Sequence, residues 1–265
     1  MQKNVERMGH RLDIVIPVHN EGRSIESSLK EFCRALNARG RTDYRLIVCE
    51  DGSTDDTLRI IRDLSETLPI NLITSGARKG YSRAVIDGLA ASDADWVAVI
   101  EGDGQSDPNA INILLDHINE SDLIVGWRNP RNDNLLRKIL SGLFRAMYRR
   151  FFGVSLADPS YACVLIRQPA LRQLMTYLGG RMPRGFFWEF NAWCHALKMR
   201  VEEVPVSHRA RAEGRTQVYR IWKLPAIAIS EGAALFRVNR EINVARRNGI
   251  EKVTMHRAGI EPATQ

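Results

Sequence analysis

Short apolar, β-branched runs alternate with longer stretches of helical periodicity through the first half of the chain. Five of these runs predict strands, at 12–18, 45–49, 70–74, 96–100 and 122–126. The segments between them repeat apolar residues every three or four positions, as at Ile25, Leu29, Phe32 and Leu36, which predicts amphipathic helices. Strands and helices that alternate with short loops are typical of an α/β domain with a doubly wound, mainly parallel sheet.

The pattern changes after residue 130. Residues 135–154 repeat pairs of apolar residues at every fourth position with basic residues between them, which predicts an amphipathic basic helix or a broken pair of helices. The remaining periodicity predicts strands at 161–166 and 201–208, and helices at 168–178, 186–199 and about 218–238.

Polar side chains follow the end of each of the first five predicted strands. These loops begin after Val18, Cys49, Thr74, Ile100 and Gly126. Parallel strands bring their carboxyl ends to one edge of the sheet, where such sheets bind ligands, so we expect the five loops to share one rim. Ordinary turn chemistry explains any single loop, but all five together predict a binding site.

The fourth loop, in the sequence WVAVIEGDGQSDP, presents two acids directly after a buried strand. Glu101 and Asp103 would repel each other unless a cation lay between them. Carboxylate oxygens, with the amide of Gln105 nearby, suit Mg²⁺ or Mn²⁺ rather than zinc, and Mg²⁺ held this way usually completes its shell with water and phosphate. The alternative, that these acids cap the next helix, fits Asp107 well and Glu101 poorly. The loop therefore predicts a divalent cation that binds a diphosphate.

The second loop, in the sequence CEDGSTDDT, places Glu50 and Asp51 at the end of a strand. A carboxylate in this position can accept hydrogen bonds from a nucleotide base or from a ribose. Asp55, Asp56 and Thr57 are better explained as first-turn residues of the helix that follows.

The net charge and the positions of the cysteines indicate which kinds of partner and which cellular compartment to expect. The formal net charge of +7 favours anionic partners, but the sequence has no RNP, zinc-finger or helix-turn-helix pattern, so nucleic acid is disfavoured. The sequence has no secretory signal and no run of about 18 uncharged apolar residues, so we expect a cytoplasmic protein that contacts membranes only peripherally. The four cysteines have no CxxC spacing, which predicts buried thiols in a reducing compartment.

Four sequence motifs, taken in order, resemble those of the family 2 inverting glycosyltransferases, which have the GT-A (Rossmann-like) fold. The motifs are IVIPVHNEGRSIESSL, LIVCEDGSTDDT, RKGYSRAVIDGLAAS and VAVIEGDGQSDP. The segment EVPVSHRARAEGRTQVY is similar to an Arg-x-x-Gly-x-Ser/Thr stretch of the dolichol- and polyprenol-phosphate sugar transferase branch, here Arg211, Gly214 and Thr216. The resemblance runs from about Leu12 to about Ala226.

The resemblance implies a role for each of a set of residues. The metal ligands would be Glu101, Asp103 and Gln105, and the nucleotide-sugar contacts would be Pro17, His19, Glu21, Asp51, Lys79, Glu101 and Asp103. The residues that bind the acceptor phosphate would be Arg128, Arg131, Arg211 and Thr216, and the catalytic residues would be Asp103, Arg128 and Arg211. The family usually has aspartate at position 101, so Asp103 is the firmer assignment and the glutamate could alter the metal preference.

The same resemblance implies a reaction. The protein would move a sugar from a UDP- or GDP-linked donor to a polyprenyl phosphate, using Mg²⁺ or Mn²⁺. A phosphate acceptor is already an anion and needs no deprotonation, whereas a saccharide hydroxyl, the first alternative, would need a general base, for which Asp158 and Glu189 are candidates. The second alternative is a degenerate module that binds a nucleotide without turnover.

The domain division and the membrane contact complete these expectations. We expect an N-terminal extension over 1–11, a GT-A domain over 12–238 and a disordered tail over 239–265. Within the domain, residues of about 12–130 would bind the nucleotide, and those of about 131–238, which include C-terminal amphipathic helices, would bind the acceptor. The basic helix at 135–152 is either an ordinary core helix with a solvated face or a peripheral membrane contact, which the resemblance favours. A separate membrane subunit could assist it.

Overall fold

The computed structural model of the chain describes residues 10–118, 121–129, 135–182, 185–209 and 224–250. Its strands are β1 Leu12–Val18, β2 Tyr44–Glu50, β3 Ile70–Thr74, β4 Trp96–Ile100, β5 Leu123–Arg128, β6 Cys163–Arg167 and β7 Val201–Val206. Its helices are α1 Ile25–Ala38, α2 Thr57–Ser65, α3 Tyr81–Ala90, α4 Ala110–Asp116, α5 Leu135–Phe152, α6 Gln168–Met175, α7 Phe186–Ala196 and α8 Leu224–Arg247.

The seven strands of the described residues form one sheet in the order β3-β2-β1-β4-β6-β5-β7. All neighbouring strands are parallel except β6, which runs antiparallel to both β4 and β5. Strands β1 to β5 therefore point the same way, and the five polar loops leave the sheet at one edge. The predicted α/β fold with a mainly parallel sheet is confirmed.

Alternate side chains of the central strands enter two separate cores. On β1, Ile14 and Ile16 belong to the core that includes the apolar faces of α1, α2 and α4, whereas Val15 belongs to the core on the other side, which includes α3, α5, α6, α7 and α8. Helices thus cover both faces of the sheet, which explains why the strands are apolar at nearly every position rather than at every second one. Such a sheet can meet a ligand only at its edges and loops.

Helix α3 lies unusually close to the sheet at Gly88. A Cβ atom added to this residue would stand 2.5 Å from a γ-carbon of Val15 on β1 and 2.6 Å from Sγ of Cys49 on β2. Glycine thus lets the helix backbone approach the two central strands, and this approach sets the position of the loop that leads into α3.

The described elements correct one predicted boundary and decide between two predicted alternatives. Helix α8 continues to Arg247 and buries Ile242, so the predicted disordered tail is wrong for residues 239–247, while residues 251–265 lie outside the described part. The reason is that Leu235, Val238 and Ile242 keep helical spacing and pack into the core. Helix α5 is one continuous helix, not a broken pair. The nucleotide-binding and acceptor-binding halves stay a prediction.

Replacing Gly88 by alanine should destabilise the fold, whereas Gly142→Ala in α5 should stabilise it. At Gly88 the new methyl overpacks the contact with Val15 and Cys49, at a cost of about 1–3 kcal/mol. At Gly142 no atom lies within 4 Å of the added Cβ, so the gain in helix propensity of about 0.5–1 kcal/mol is realised. Urea denaturation of both variants measures the difference, and a stabilised Gly88→Ala protein would contradict the close packing.

Candidate functional site

The first two loops of the rim are joined by side-chain hydrogen bonds. His19 Nδ1 lies 2.9 Å from the backbone oxygen of Asp51, which can only accept, so Nδ1 carries the proton. The side-chain oxygen of Asn20 accepts the backbone N–H of Thr54 at 2.8 Å, and the backbone N–H of Asn20 donates to Ser53 Oγ at 3.0 Å. Asn20 has a φ of 55°, which asparagine tolerates better than most residues. Sequence reasoning passed over Asn20, although an asparagine in a turn was the available signal.

Asp51 fixes the third loop against the second. Its two carboxylate oxygens accept the backbone N–H groups of Lys79 at 2.6 Å and Gly80 at 2.8 Å, and the residue is only 4% exposed. The neighbouring Gly52 has a φ of +65°, and an added Cβ would stand 2.7 Å from the backbone nitrogen of Arg78. Asp51 therefore supports the rim, and its contact with a nucleotide base stays a prediction.

The acid loop is organised around Asp103. One carboxylate oxygen accepts the backbone N–H of Gln105 at 3.0 Å, and the other accepts the Gln105 side-chain amide at 2.9 Å. Gly104 turns the chain between them with a φ of +79°. Gln105 thus orients the Asp103 carboxylate, which remains partly exposed at the rim. The role of Gln105 as a metal ligand stays a prediction.

The residues directly after β7 cross the acid loop. The backbone N–H of Arg209 donates to the carbonyl of Gln105 at 2.8 Å, and His208 forms an antiparallel bridge with Ser106. The ring of Tyr161 meets the His208 ring edge-on at 5.6 Å. This contact joins the second half of the chain to the predicted metal site, and no local pattern in the sequence predicts it. Arg131, Arg211 and Thr216 lie outside the described residues.

The donor set of the acid loop fits a hard cation that takes most of its ligands from elsewhere. Within the described ranges, no group of three or more His, Cys, Asp or Glu side chains could hold a metal ion. Mg²⁺ commonly binds through one or two carboxylates and completes its octahedral shell with water and substrate phosphate oxygens. Each oxygen of Asp103 uses one lone pair on Gln105 and retains another for such an ion.

A small cavity of about 130 Å³ lies beside Glu101. Its described lining residues are Tyr81, Glu101, Ser160, Gly185, Phe187 and Trp188. The Tyr81 hydroxyl and the Trp188 indole nitrogen are buried and have no hydrogen-bond partner in the described part of the chain. Burial, and then the negative charges of Glu101 and Asp103, raise the pKa of Tyr81 well above its ordinary value, so this hydroxyl stays protonated beside the acid pair.

Arg128 at the end of β5 is paired with Asp158. The guanidinium donates to both carboxylate oxygens, from Nε at 2.7 Å and from Nη2 at 3.2 Å, and it lies 5.2 Å from the centre of the Tyr161 ring. Asp158 is 2% exposed, and Ser160 Oγ donates to it as well at 3.1 Å. Because Asp158 is the anchor of an arginine, it is poorly suited to remove a proton from an acceptor.

Glu189 on α7 is fully buried and holds a turn. Its carboxylate accepts three backbone N–H groups, from Gly179 at 3.0 Å, Arg181 at 2.7 Å and Met182 at 3.3 Å. Burial raises the pKa of Glu189, although these hydrogen bonds act in the opposite direction. Since its oxygens are occupied and inaccessible, Glu189 is a structural acid rather than a general base in this geometry.

The other residues that were predicted to contact the nucleotide-sugar donor also lie at the rim. Pro17 is buried in β1, and the side chain of Glu21 accepts the Ser24 hydroxyl at 2.9 Å at the start of α1. The ammonium of Lys79 pairs with Asp87 on α3 at 3.0 Å. The structure thus brings Pro17, His19, Glu21, Asp51, Lys79, Glu101 and Asp103 to one edge of the sheet, and their contacts with a nucleotide stay predictions.

Helix α5 carries two apolar faces. Tyr148 and Phe152 are buried in the core. Leu143, Met147 and Phe151, four residues apart, form an exposed apolar ridge with 64%, 40% and 48% of their surface accessible. Arg145, Arg149 and Arg150 of the same helix are exposed as well. Across the described ranges, every helix is too short or too polar to cross a bilayer.

The four cysteines, Cys33, Cys49, Cys163 and Cys194, are buried and unbridged, as the sequence analysis predicted. Burial raises the pKa of Cys49 and of Cys163 to about 12, so these thiols stay protonated and unreactive.

Comparison with known proteins gives matches in sequence and in fold. The family model for glycosyl transferase family 2 matches residues 13–175. Among curated proteins, the dodecaprenyl-phosphate galacturonate synthase of Rhizobium johnstonii is 30% identical over 210 residues, which are 77% of this chain and 60% of that protein. The undecaprenyl-phosphate 4-deoxy-4-formamido-L-arabinose transferase of Klebsiella pneumoniae is 26% identical over 77% of this chain and 61% of its own. The chain thus spans about three fifths of the length of these relatives.

Among solved structures, the glucosyl-3-phosphoglycerate synthase of Mycobacterium tuberculosis superposes with a TM-score of 0.66. The match covers 90% of this chain and 83% of that one at 19% identity, which establishes a shared fold. That enzyme was crystallised with Mg²⁺ and uridine diphosphate.

Asp51→Asn should destabilise the fold by about 1–3 kcal/mol, because the amide NH₂ would face the backbone N–H of either Lys79 or Gly80 and leave it unsatisfied. The matched control is Asp63→Asn in α2, where an exposed pair with Arg59 is lost at a cost of at most about 1 kcal/mol. Chemical denaturation compares the two variants. Equal losses would show that the Asp51 carboxylate does not hold the third loop.

Proposed function

The chain belongs to glycosyl transferase family 2, and from this premise we propose that it transfers a sugar from a nucleoside-diphosphate donor to a polyprenyl phosphate with inversion at the anomeric carbon. Two relatives support this acceptor, since both of their names specify a sugar attached to a polyprenyl phosphate. The base of the donor would be uracil or guanine.

The choice of acceptor is supported by the surroundings of the two carboxylates that were candidates for a general base. Asp158 is bound to Arg128 through both oxygens, and Glu189 is fully buried beneath three backbone N–H groups. A saccharide hydroxyl would need a base within hydrogen-bond reach, whereas a lipid phosphate attacks as an anion. The geometry therefore favours an acceptor that is already charged.

The acid loop supplies the donor side of the proposal. A divalent cation bound at Asp103, Mg²⁺ or Mn²⁺, would stabilise the negative charge that develops on the leaving diphosphate. Gln105 holds the Asp103 carboxylate in one orientation, so this group needs little reorganisation when the donor arrives. The contacts of Asp51 and Asn20 fix the neighbouring loops in the same way.

Arginines supply the acceptor side. Asp158 fixes the Arg128 guanidinium at the carboxyl end of β5, so this cation is already oriented at the rim. The backbone of Arg209 bonds to the acid loop, and Arg211 follows it in the sequence by two residues. We propose that Arg128, Arg131 and Arg211, with Thr216, bind the acceptor phosphate.

The exposed ridge of α5 supports action at a membrane surface. Three large apolar side chains and three arginines of this helix are exposed, the composition of a helix that lies in the headgroup region of an anionic bilayer. Peripheral contact through this helix, alone or with a separate membrane subunit, would bring the rim to a lipid acceptor. A cytoplasmic location is part of the same proposal, and the unbridged cysteines agree with it.

The reaction should require both the acceptor phosphate and Asp103. With Mg²⁺ or Mn²⁺ and a panel of UDP- and GDP-sugars, we expect donor turnover with polyprenyl phosphate and none with the matching polyprenol or with a saccharide. Asp103→Asn should lower this turnover about 100-fold or more, because the neutral amide is a poorer ligand for the cation. Radiolabel transfer to lipid measures the rate.

Asp107→Asn is the matched control, since Asp107 lies in the same loop and its carboxylate accepts only the backbone N–H of Asn109 among its described contacts. This variant should keep most of the activity. Turnover with a saccharide and not with polyprenyl phosphate would show that the acceptor is a saccharide. Nucleotide binding without any turnover would show that the chain is a degenerate nucleotide-binding module. Unchanged turnover in Asp103→Asn would reject the metal assignment.

Replacing Leu143, Met147 and Phe151 together by serine should weaken binding to anionic vesicles, because each side chain contributes apolar area to the interface. We expect about tenfold or greater loss in co-sedimentation with phosphatidylglycerol vesicles. Val201→Ser, at an exposed apolar residue on the edge strand β7, is the control and should bind like the native chain. Equal binding by the triple variant would refute the membrane contact.

A further inference from the structure

The ring of Tyr161 contacts side chains on two sides of the candidate site. The central carbon of the Arg128 guanidinium lies 5.2 Å from the centre of this ring, and the ring of His208 meets it edge-on at 5.6 Å. Tyr161 is 3% exposed, so the ring is held in the core directly beneath the rim. One buried aromatic side chain therefore links an arginine of the rim to the segment that follows β7.

A short turn before β6 supplies two of the groups that contact Arg128. The backbone N–H of Tyr161 donates to the carbonyl of Asp158 at 3.2 Å, which closes the turn. The Asp158 carboxylate accepts two hydrogen bonds from the guanidinium, and the Tyr161 ring lies against the same group. Residues 158–161 thus hold this cation with a carboxylate and with an aromatic ring.

The ring stabilises the cation without adding a formal charge. The face of an aromatic ring is negative and attracts a guanidinium, and this attraction is stronger where water is partly excluded. The side chain of Arg128 is 25% exposed, so the contact is partly desolvated. A second carboxylate at position 161 would repel an acceptor phosphate, whereas a ring does not. An aromatic side chain is therefore suited to orient a cation that has to bind an anion.

The other contact of the ring leads to the acid loop. His208 forms an antiparallel bridge with this loop, and the next residue, Arg209, donates its backbone N–H to the carbonyl of Gln105 at 2.8 Å. Gln105 in turn orients the carboxylate of Asp103. Contiguous contacts thus join the arginine proposed for the acceptor to the carboxylate proposed for the metal, and Tyr161 lies between them.

We propose that Tyr161 is a positioning residue for the transfer, and that its ring fixes the Arg128 guanidinium relative to the acid loop. This role rests on the proposed function, in which Arg128 binds the acceptor phosphate. Tyr161 itself touches neither substrate. It acts through Arg128, because a cation held in one place binds the acceptor phosphate in line with the donor more often than a mobile one does.

Removing the ring tests this role. Tyr161→Leu keeps an apolar side chain and should lower kcat/KM for polyprenyl phosphate about tenfold, as expected from the loss of a partly desolvated cation–π contact. Calorimetry with Mg²⁺ should show affinity for the nucleoside diphosphate within about twofold of the native value, since Asp103 and Gln105 are unchanged. Tyr161→Phe keeps the ring and should restore the lost kcat/KM.

Tyr177→Leu is the matched control for the loss of an aromatic contact. The ring of Tyr177 stacks on Trp193 at 4.7 Å, in the core on the other side of the sheet. This variant should therefore keep the native kcat/KM for polyprenyl phosphate, even if thermal unfolding shows that it is less stable.

A double-mutant cycle separates positioning from packing. If Tyr161 acts through Arg128, adding Tyr161→Leu to Arg128→Ala should cause no further loss of kcat/KM. A purely structural role of the ring would give the same loss in both backgrounds. Thermal unfolding of the four proteins shows whether they are folded at the assay temperature.

A second series keeps the shape of the ring and remains informative if the leucine variant does not fold. Phenylalanine and then mono-, di- and trifluorophenylalanine at position 161 weaken the negative face of the ring stepwise with little change in its size. We expect kcat/KM for polyprenyl phosphate to fall with each added fluorine, because a cation–π contact depends on that negative face. A packing role predicts a constant value.

The outcomes distinguish this role from the proposed function. A constant kcat/KM across the fluorinated series, or equal losses in the two backgrounds of the cycle, overturns the positioning role alone. Absence of turnover by the native chain with polyprenyl phosphate overturns the proposed acceptor and the role of Tyr161 with it.

Discussion

The carboxylate of Asp51 holds the candidate site together. It accepts the two backbone N–H groups that begin the turn into α3, while the backbone oxygen of the same residue accepts the ring N–H of His19. The backbone N–H of Asp51 also donates to Val18 at 3.0 Å. One buried residue thus links the loops after β1, β2 and β3. Three loops that would otherwise move independently become one surface, and that surface is the one the acid loop adjoins.

Four carboxylates near the rim have different partners, and these partners decide what each can do. The buried Glu189 carboxylate accepts three backbone N–H groups, and Asp158 forms an ion pair with Arg128. Asp103 is oriented by an amide but remains partly exposed, and Glu101 borders a cavity. Only the last two are placed to meet a substrate. This division favours a reaction that relies on charge stabilisation and positioning rather than on proton removal, and an anionic acceptor suits such a site.

Helix α5 connects this chemistry to a surface. One face packs Tyr148 and Phe152 into the core, and Phe144 lies 4.4 Å from the ring of Trp188, which borders the Glu101 cavity. The exposed side carries the apolar ridge and several arginines. Helix α5 thus contacts the wall of the cavity on one side and exposes apolar side chains on the other.

Much of the fold followed from the sequence because hydrophobic periodicity is a local property. Runs of apolar residues placed β1 to β5 to within a few residues, and turn residues such as Gly, Asn, Asp and Ser marked the polar loops. The sequence also determined that acids and amides would gather at one edge, because parallel strands allow no other arrangement. It could not place the end of α8, since burial of Ile242 depends on distant partners.

Only the tertiary structure decided which acid is paired with which partner. Arg128 and Asp158 are 30 residues apart, Asp51 and Gly80 are 29 apart, and Gln105 and Arg209 are 104 apart. No local pattern encodes these contacts, because a side chain's partner depends on how the helices and strands pack. The sequence thus determined which chemical groups reach the rim, and the packing determined which of them remain available for a substrate.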